Sequence, residues 1–208
     1  QQMGFYPVGV PVECFIIAYR WQSFFSPEAL EQGVDVGVSS WRRAAPDTFP
    51  SLAKAGGNYL NSQLAKIEAK QNQYSEAIML DSFGFVSEGS GENLFIVRDG
   101  VLYTSAVSSA ILNGITRDTV IRIAQDFGYV VREQQIPREM LYIADEMFFT
   151  GTAAELTPIR SVDRIAVGTG VPGEITRRLQ SEFLGIAKGQ IADRFGWLTR
   201  VPAAALAR

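Results

Sequence analysis

The chain has 208 residues, a mass of 22.9 kDa, 47% hydrophobic and 20% charged residues, and a formal net charge of −3. This composition excludes a disordered chain, and the length suffices for a large core without disulfides or metals. The acidic balance, 22 Asp and Glu against 19 Lys and Arg, is atypical of proteins that bind nucleic acids. We therefore expect a globular protein that does not bind nucleic acid.

The rare residues restrict the chemistry further. The sequence contains no histidine, which excludes histidine bases and histidine metal sites. The single cysteine, Cys14, excludes an internal disulfide or a zinc cluster, and its apolar neighbours predict that it is buried. No apolar stretch approaches the ~20 residues of a membrane span, and no signal peptide is visible. We expect a reducing, cytoplasmic compartment and no membrane partner.

The first fifty residues predict short strands joined by loops. Residues 12–19 have the composition of a strand, which would need partners from elsewhere. Residues 21–28 are predicted to be a linker with exposed aromatic side chains. Alternating valines predict a strand over 33–40, and two prolines indicate a loop over 42–50.

Helical periodicity and short strands alternate along the rest of the chain. The predicted helices cover 59–71, 116–127 and 174–188, with a short helix over 137–144 that opens with proline. In the first of them, Leu60, Leu64 and Ile67 fall on one face, the pattern of a helix with one buried side. The predicted strands cover 77–80, 93–97, 101–104, 129–136, 146–150, 158–162 and 164–167. The sequence therefore predicts a mixed α/β fold.

Without histidine, proton transfer must fall to lysine, a carboxylate, tyrosine or Cys14. Of the four lysines, Lys54 stands apart because it lies among small residues before Gly56 and Gly57. Glycine pairs let a backbone approach a ligand, and a desolvated lysine forms Schiff bases. A loop lysine on the surface is the alternative interpretation.

Two glycine-containing segments are further candidate sites. Residues 86–93 suggest a strained turn that presents the carboxylate of Glu88, rather than a nucleotide loop. Residues 112–118 lead into a helix, where free N–H groups and the Thr116 hydroxyl would bind phosphate. The alternative for Thr116 is a simple helix N-cap.

These segments together resemble a family, the branched-chain amino acid aminotransferases of the class IV, or fold-type IV, pyridoxal-phosphate enzymes. The matching stretches run from about residue 30 almost to the C-terminus: 39–43, 54–59, 87–95, 114–118, 144–146 and 151–158. The resemblance implies the large domain of that fold, with short strands in a pseudo-barrel and flanking helices. It also implies pyridoxal 5′-phosphate as the cofactor and a homodimer or higher homo-oligomer.

The resemblance implies a role for each matched residue. Lys54 would bind the cofactor covalently and then move the α-proton, Tyr59 would contact the phenolic oxygen, and Glu88 would pair with the pyridine nitrogen. The other predicted cofactor contacts are Leu112, Ile115, Thr116, Gly151 and Thr152. For the substrate, the resemblance implies backbone N–H groups at Thr152, Ala153 and Ala154 and an aromatic border at Trp21. Glu92 and Asn93 are expected to support turns, and Arg42 and Arg43 carry no predicted role.

Members of the family are longer, with a small N-terminal domain that supplies a phosphate-binding arginine and part of the substrate pocket. We therefore expect residues 1–20 to be the tail of that domain, 21–28 an interdomain loop, and 29–208 the cofactor-binding domain. The predicted substrates are leucine, isoleucine or valine with 2-oxoglutarate. The alternatives are another class IV enzyme (a D-amino acid or amine transaminase, or aminodeoxychorismate lyase) and an inactive, cofactor-free fragment.

Overall fold

A computed structural model of the chain describes residues 5–21 and 24–200. Residues 5–21 form no helix or strand, and their large apolar side chains are exposed. The predicted strand over 12–19 is therefore wrong, since no strand of the described sheet pairs with this segment. The predicted burial of Cys14 is wrong for the same reason, because its thiol is exposed. Residues 1–4, and residues 22 and 23 of the predicted linker, lie outside the described part.

One sheet of nine strands organises the described chain. The strands are β1 (Val34–Arg42), β2 (Glu76–Leu80), β3 (Val86–Gly89), β4 (Asn93–Arg98), β5 (Val101–Ser105), β6 (Val131–Gln134), β7 (Glu146–Gly151), β8 (Glu155–Val162) and β9 (Ile165–Ala166). They lie in the order β3-β2-β1-β8-β7-β4-β5-β6, with β9 paired to β8. The pairs β1–β2, β1–β8 and β5–β6 are parallel, and the other pairs are antiparallel.

The two ends of this sheet meet, so the sheet curls into a partial barrel. The amide of Val86 in β3 donates to the carbonyl of Ile136, just after β6, at 2.8 Å. The hydroxyl of Ser105 at the end of β5 donates to the carbonyl of Val86 at 2.7 Å. Residues far apart in the sequence are thereby brought to one end of the barrel, and the predicted mixed α/β fold is confirmed.

The described residues form four α-helices, which pack against the sheet: α1 (Pro27–Gln32), α2 (Tyr59–Gln71), α3 (Ile115–Asp126) and α4 (Glu174–Ala187). Helices α3 and α4 pack on one face, where Phe95 and Phe148 stack at 5.0 Å between ring centroids. The second core lies inside the curl and is built mainly from strand residues. None of the helices in the described ranges has the length and apolarity that a membrane span requires.

Helix α2 has the predicted bounds but not the predicted buried face. Its buried residues are Ser62, Ala65 and Ala69, whereas the predicted apolar residues Leu60, Leu64 and Ile67 are exposed. Small side chains let the helix lie close to β1 and β2, so the larger side chains point away from the sheet. The linker prediction is also revised, because α1 begins at Pro27 with Ser26 as its N-cap.

Local signals predicted most of the other elements. The β4–β5 hairpin, the helices α3 and α4, and the strands β7, β8 and β9 lie where they were expected, within a few residues. Helix α3 ends before Gly128, whose φ of +83° is accessible to glycine at little cost. The short helix after Pro137 is a 3-10 turn at Arg138–Tyr142. The turn predicted over 86–93 is found only in part: Val86–Gly89, which includes Glu88, is the strand β3, paired with β2, and the chain bends at 90–92.

Candidate active site

A cavity of about 280 Å³ opens at the end of the barrel where β3, β4, β7 and the N-terminus of α3 meet. This volume is near the lower limit of small-molecule sites, roughly 300 Å³. Its lining includes every residue predicted to contact the cofactor: Lys54, Tyr59, Glu88, Leu112, Ile115, Thr116, Gly151 and Thr152. The structure therefore brings residues from separate stretches of the chain to one place.

Lys54 lies in the loop that leads into helix α2. The Asn58 side-chain amide donates to the carbonyls of Ala53 at 2.7 Å and Pro50 at 3.1 Å, and these contacts fix the loop around the lysine. The Lys54 ammonium lies 5.6 Å from the ring centroid of Tyr59, the first residue of α2. The Lys54 side chain is exposed, as the alternative interpretation of a surface loop lysine had it, rather than desolvated.

Glu88 is a buried carboxylate on β3 with three hydrogen-bond donors. Arg43 contacts one oxygen, Oε1, at 2.9 Å. The side-chain amide of Asn93 and the backbone amide of Leu112 donate to the other oxygen, Oε2, at 2.9 and 3.1 Å. Burial raises the pKa of the Glu88 carboxyl to about 7, and the Arg43 guanidinium opposes that rise.

Helix α3 presents its N-terminus to the cavity. Its N-cap, Gly114, has no side chain to accept from the first amides, so the N–H groups at Ile115 and Thr116 lack a side-chain cap. Such an end carries about half a positive charge and binds anions. A Cβ at Gly114 would lie 2.2 Å from Oδ1 of Asn93, so any other residue here would have to displace that side chain. The amide of Asn93 also donates to the carbonyl of Leu112, at 2.8 Å.

The residues predicted to bind substrate are only partly gathered. Thr152 lines the cavity, whereas Ala153 and Ala154 do not, and Ala154 is buried in the core inside the barrel. Trp21 lies outside the cavity, with its side chain 66% exposed. In the described part of the chain, the residues predicted to contact the cofactor are therefore gathered more completely than those predicted to contact the substrate.

The sequence model of a known family agrees with this geometry. The model for class IV aminotransferases matches residues 4–162, which include the lysine loop, β3, the N-terminus of α3 and the turn after β7. The chain belongs to the class IV aminotransferases.

Relatives within the class IV aminotransferases narrow the resemblance. The branched-chain-amino-acid aminotransferase of Escherichia coli K12 is 53% identical over 195 residues, which cover 94% of this chain and 63% of that protein. The branched-chain-amino-acid aminotransferase of Pseudomonas aeruginosa is 45% identical over 199 residues, covering 96% of this chain and 64% of its own. The chain thus spans slightly less than two thirds of the length of these relatives.

Solved structures of class IV aminotransferases share the fold. A crystal structure of the Escherichia coli branched-chain amino acid aminotransferase matches with a TM-score of 0.86 at 54% identity, covering 88% of this chain and 60% of that one. The branched-chain amino acid aminotransferase from T.th., solved with pyridoxamine 5′-phosphate, matches with a TM-score of 0.83 at 47% identity. The match covers 88% of this chain and 60% of that one.

Three residues of this class IV site had no predicted chemical role. Arg43, Glu92 and Asn93 all line the cavity, and two of them bond directly to Glu88. All three lie in stretches that carry the family resemblance. The lack of histidine, which leaves few charged groups for a buried site, was a signal that arginines beside those stretches could be functional.

Proposed function

We propose that this chain is the cofactor-binding part of a branched-chain amino acid aminotransferase that uses pyridoxal 5′-phosphate. The observation that carries the proposal is one cavity lined by Lys54, Glu88 and the uncapped N-terminus of α3. Because the chain covers 63% of the Escherichia coli relative, the activity is proposed for the whole protein.

The donor set of the cavity fits this cofactor. A primary amine suits its aldehyde, a carboxylate suits its protonated ring nitrogen, and a helix N-terminus suits its phosphate. Lys54, Glu88 and the amides at Ile115 and Thr116 supply these three groups on separate elements. Tyr59 adds a hydroxyl beside Lys54.

When bound, pyridoxal phosphate supplies an electron sink for the charge that is left when the substrate Cα loses its proton. Lys54 would hold the cofactor through its Nζ atom and, once the substrate amine has taken its place there, its free amine would move the α-proton of the substrate. Glu88 would accept a hydrogen bond from the ring nitrogen and favour its charged form. Gly151 and Thr152 would border the phosphate, and Leu112 would pack near the ring.

The proposed substrates are leucine, isoleucine or valine, with 2-oxoglutarate as amino acceptor. Support comes from the names of the relatives, all branched-chain enzymes, and from the residues of the cavity. Backbone N–H groups at 152–154 are the proposed site for the substrate carboxylate, and Trp21 is the proposed border of the side-chain pocket. The comparisons do not favour a D-amino acid transaminase, an amine transaminase, a lyase or an inactive fragment.

The proposal also covers the domain organisation, the compartment and the oligomeric state of the protein. Residues 29–208 would form the cofactor-binding domain, preceded by a loop at 21–28 and the tail of another domain at 1–20. The single cysteine is compatible with a reducing cytoplasm. Exposed apolar side chains on α2 support a homodimer or higher homo-oligomer.

Replacement of the lysine tests the proposal. In Lys54→Ala we expect no adduct after borohydride reduction with pyridoxal phosphate, as judged by intact mass. Transfer from leucine to 2-oxoglutarate should fall by roughly 10²- to 10⁴-fold or more, the usual contribution of a positioned acid–base group.

The matched control is Lys70→Ala, an exposed lysine on α2, which should keep both the adduct and the transfer. A panel of L-leucine, D-alanine and a simple primary amine then separates the branched-chain enzyme from its class IV alternatives. An adduct that persists in Lys54→Ala would assign the cofactor to another lysine.

A further inference from the structure

Arg43 contacts Glu88 in the wall of the cavity. An ionised carboxylate accepts roughly four hydrogen bonds. Arg43 uses one position on Oε1, and Asn93 and Leu112 use two on Oε2. Among the described residues this leaves one acceptor position, on Oε1, for a donor inside the cavity.

Arg43 is itself fixed by contacts from three parts of the fold. It lies immediately after β1, and its Nε donates to the carbonyl of Ala110 at 3.2 Å. Its Nη1 lies 3.5 Å from the hydroxyl of Ser62, on the buried face of α2. Ala110 has a φ of +58°, a left-handed conformation that is costly for a residue with a Cβ. These contacts restrain the orientation of the guanidinium.

Stability does not explain this arrangement. Arg43 is 9% exposed and Glu88 6%, so both charges have lost most of their hydration. A buried ion pair is often no more stabilising than apolar residues of the same size. The position of Arg43 beside the cavity therefore favours a role in positioning the Glu88 carboxylate.

Several other charged groups face Glu88. Lys54 from the loop before α2 and Arg117 from α3 both favour the charged carboxyl. Glu92 lies between β3 and β4, and the charge of Glu88 is one of the causes that raise the pKa of its carboxyl. The two carboxyls therefore disfavour each other's ionisation. Arg43 is the charged group in direct contact, and it has the largest effect of these cations on the Glu88 carboxyl.

We propose that Arg43 is a positioning residue that keeps the Glu88 carboxyl charged and directs its free acceptor position into the cavity. The inference rests on the proposed function, in which Glu88 accepts a hydrogen bond from a protonated ring nitrogen. A neutral Glu88 would carry its own proton, and it could then donate a hydrogen bond toward the ring nitrogen instead of accepting one from it. Arg43 acts on the reaction through Glu88 and does not itself touch the substrate.

The first measurement needs neither the cofactor nor activity, so it is independent of the proposed function. In the cofactor-free chain labelled with carboxyl-¹³C glutamate, Glu88→Gln identifies the Glu88 signal, and its titration gives the ionisation midpoint. In Arg43→Met we expect the midpoint to rise by roughly 1–3 pH units, the usual effect of an adjacent opposite charge. An unchanged midpoint would overturn the proposal.

Two further variants complete the titration. Arg42→Met is the matched control, because Arg42 is the preceding residue, is exposed, and donates to the carbonyl of Asp81 instead. We expect it to leave the midpoint unchanged, and an equal rise in both variants would contradict a specific role for Arg43. If Arg43→Met does not fold, Arg43→Gln decides, because it keeps a polar side chain but removes the charge: a rise supports the role of the guanidinium, and no rise overturns it.

The second measurement uses the cofactor-loaded protein. If Arg43 positions Glu88, Arg43→Met should lower kcat for leucine with little change in KM, and Arg43→Lys should recover part of the loss. A merely structural role would instead lower the folded fraction and leave kcat per folded molecule unchanged. If the titration shifts but the whole protein, with or without these substitutions, transfers no amino groups, the proposed function fails and the Arg43–Glu88 coupling stands.

Discussion

Glu92 is a buried carboxyl in the wall of the cavity that the proposed chemistry does not use. Its side chain is 3% exposed, and the amide of Gly91 donates to Oε2 at 3.1 Å. Burial and the nearby Glu76 raise the pKa of Glu92 to about 8. Glu76 is itself fully buried and pairs with Lys66 of α2. Glu92 is therefore mostly protonated at neutral pH and gives the cavity a neutral wall.

This raised pKa predicts how stability depends on pH. The folded chain binds the Glu92 proton up to about pH 8, whereas the unfolded chain releases it near 4.5. The free energy of unfolding of the cofactor-free chain should therefore fall as pH rises between these values, by up to about 1.4 kcal/mol per unit. The pKa of Glu88 is also raised, to about 7, so Glu88 adds to this fall in the free energy of unfolding up to about pH 7.

Glu92→Gln should flatten the fall between pH 7 and 8, because the amide does not ionise. Urea unfolding of the cofactor-free chain at pH 5, 7 and 8 measures the effect. Glu139→Gln, which changes an exposed glutamate, should leave the pH dependence as it is. A fall of the same slope in Glu92→Gln would assign the proton to a different group.

For single residues, the sequence predicted which residues line the cavity better than it predicted their burial and secondary structure. Lys54 and Glu88 were selected by type and neighbours, yet Lys54 is exposed and Glu88 lies on a strand. The Arg43–Glu88 contact was not predictable by spacing, because it joins residues far apart in the sequence through the pairing of β1, β2 and β3. Cys14 was judged by its apolar neighbours, which are themselves exposed.

Elements with a strong local code were predicted well, and those defined by distant partners were not. The β4–β5 hairpin and the helices α3 and α4 follow turn residues and a 3.6-residue period. Strand β3 is rich in polar residues and glycine, and its strand conformation depends on β2 and on the carbonyl of Ile136. Helix α2 shows the same limit of local signals. The helical period of its sequence predicted where it begins and ends, but its close contact with the sheet determines that the face with small residues is the buried one.

The start of α3 depends on one glycine. A Cβ at Gly114 would lie 2.2 Å from Oδ1 of Asn93, and Asn93 holds both Glu88 and the carbonyl of Leu112. In Gly114→Ala, we therefore expect Asn93 or the loop to move. Urea unfolding should show a loss of roughly 1–3 kcal/mol, the usual cost of overpacking. Titration with pyridoxal phosphate should show weaker binding.

Gly91→Ala is the matched control for this prediction. Gly91 also lines the cavity, but a Cβ there would meet no atom within 4 Å, and its φ is not positive. Its unfolding free energy should stay within about 0.5 kcal/mol of the unmodified chain. Equal losses in the two variants would show that added side-chain bulk near the cavity, rather than contact with Asn93, is the cause.

The curled sheet of the whole molecule is what assembles the site. Arg43 follows β1, Glu88 lies on β3, Asn93 begins β4, and Thr116 lies in the first turn of α3. These elements meet because the end strand β3 bonds to the segment after β6. The order of strands in the sheet depends on long-range pairing, so the sequence predicted the parts of the site, through the family resemblance, but not their arrangement.

The last prediction concerns charge at the phosphate end of the cavity. Among the described residues that line it, the cationic side chains are Arg43 and Lys54. Arg43 is paired with Glu88, and Lys54 is assigned to the aldehyde end of the cofactor. In the proposed function the N-terminus of α3 would hold the phosphate dianion, and at an exposed site it would contribute roughly 0.3–1 kcal/mol. A charge-assisted arginine contact would add roughly 1.5–3 kcal/mol.

A protein of these 208 residues should therefore bind pyridoxal phosphate about ten- to a hundredfold more weakly than the longer Escherichia coli relative, at about tenfold per 1.4 kcal/mol. Absorbance titration of both cofactor-free proteins measures the ratio. Pyridoxal, which lacks the phosphate, is the control, and with it the two proteins should differ much less because the expected arginine contact is to the phosphate. Equal affinities for pyridoxal phosphate would show that the uncapped start of α3 suffices. A deficit equal for both compounds would place the lost contacts at the ring.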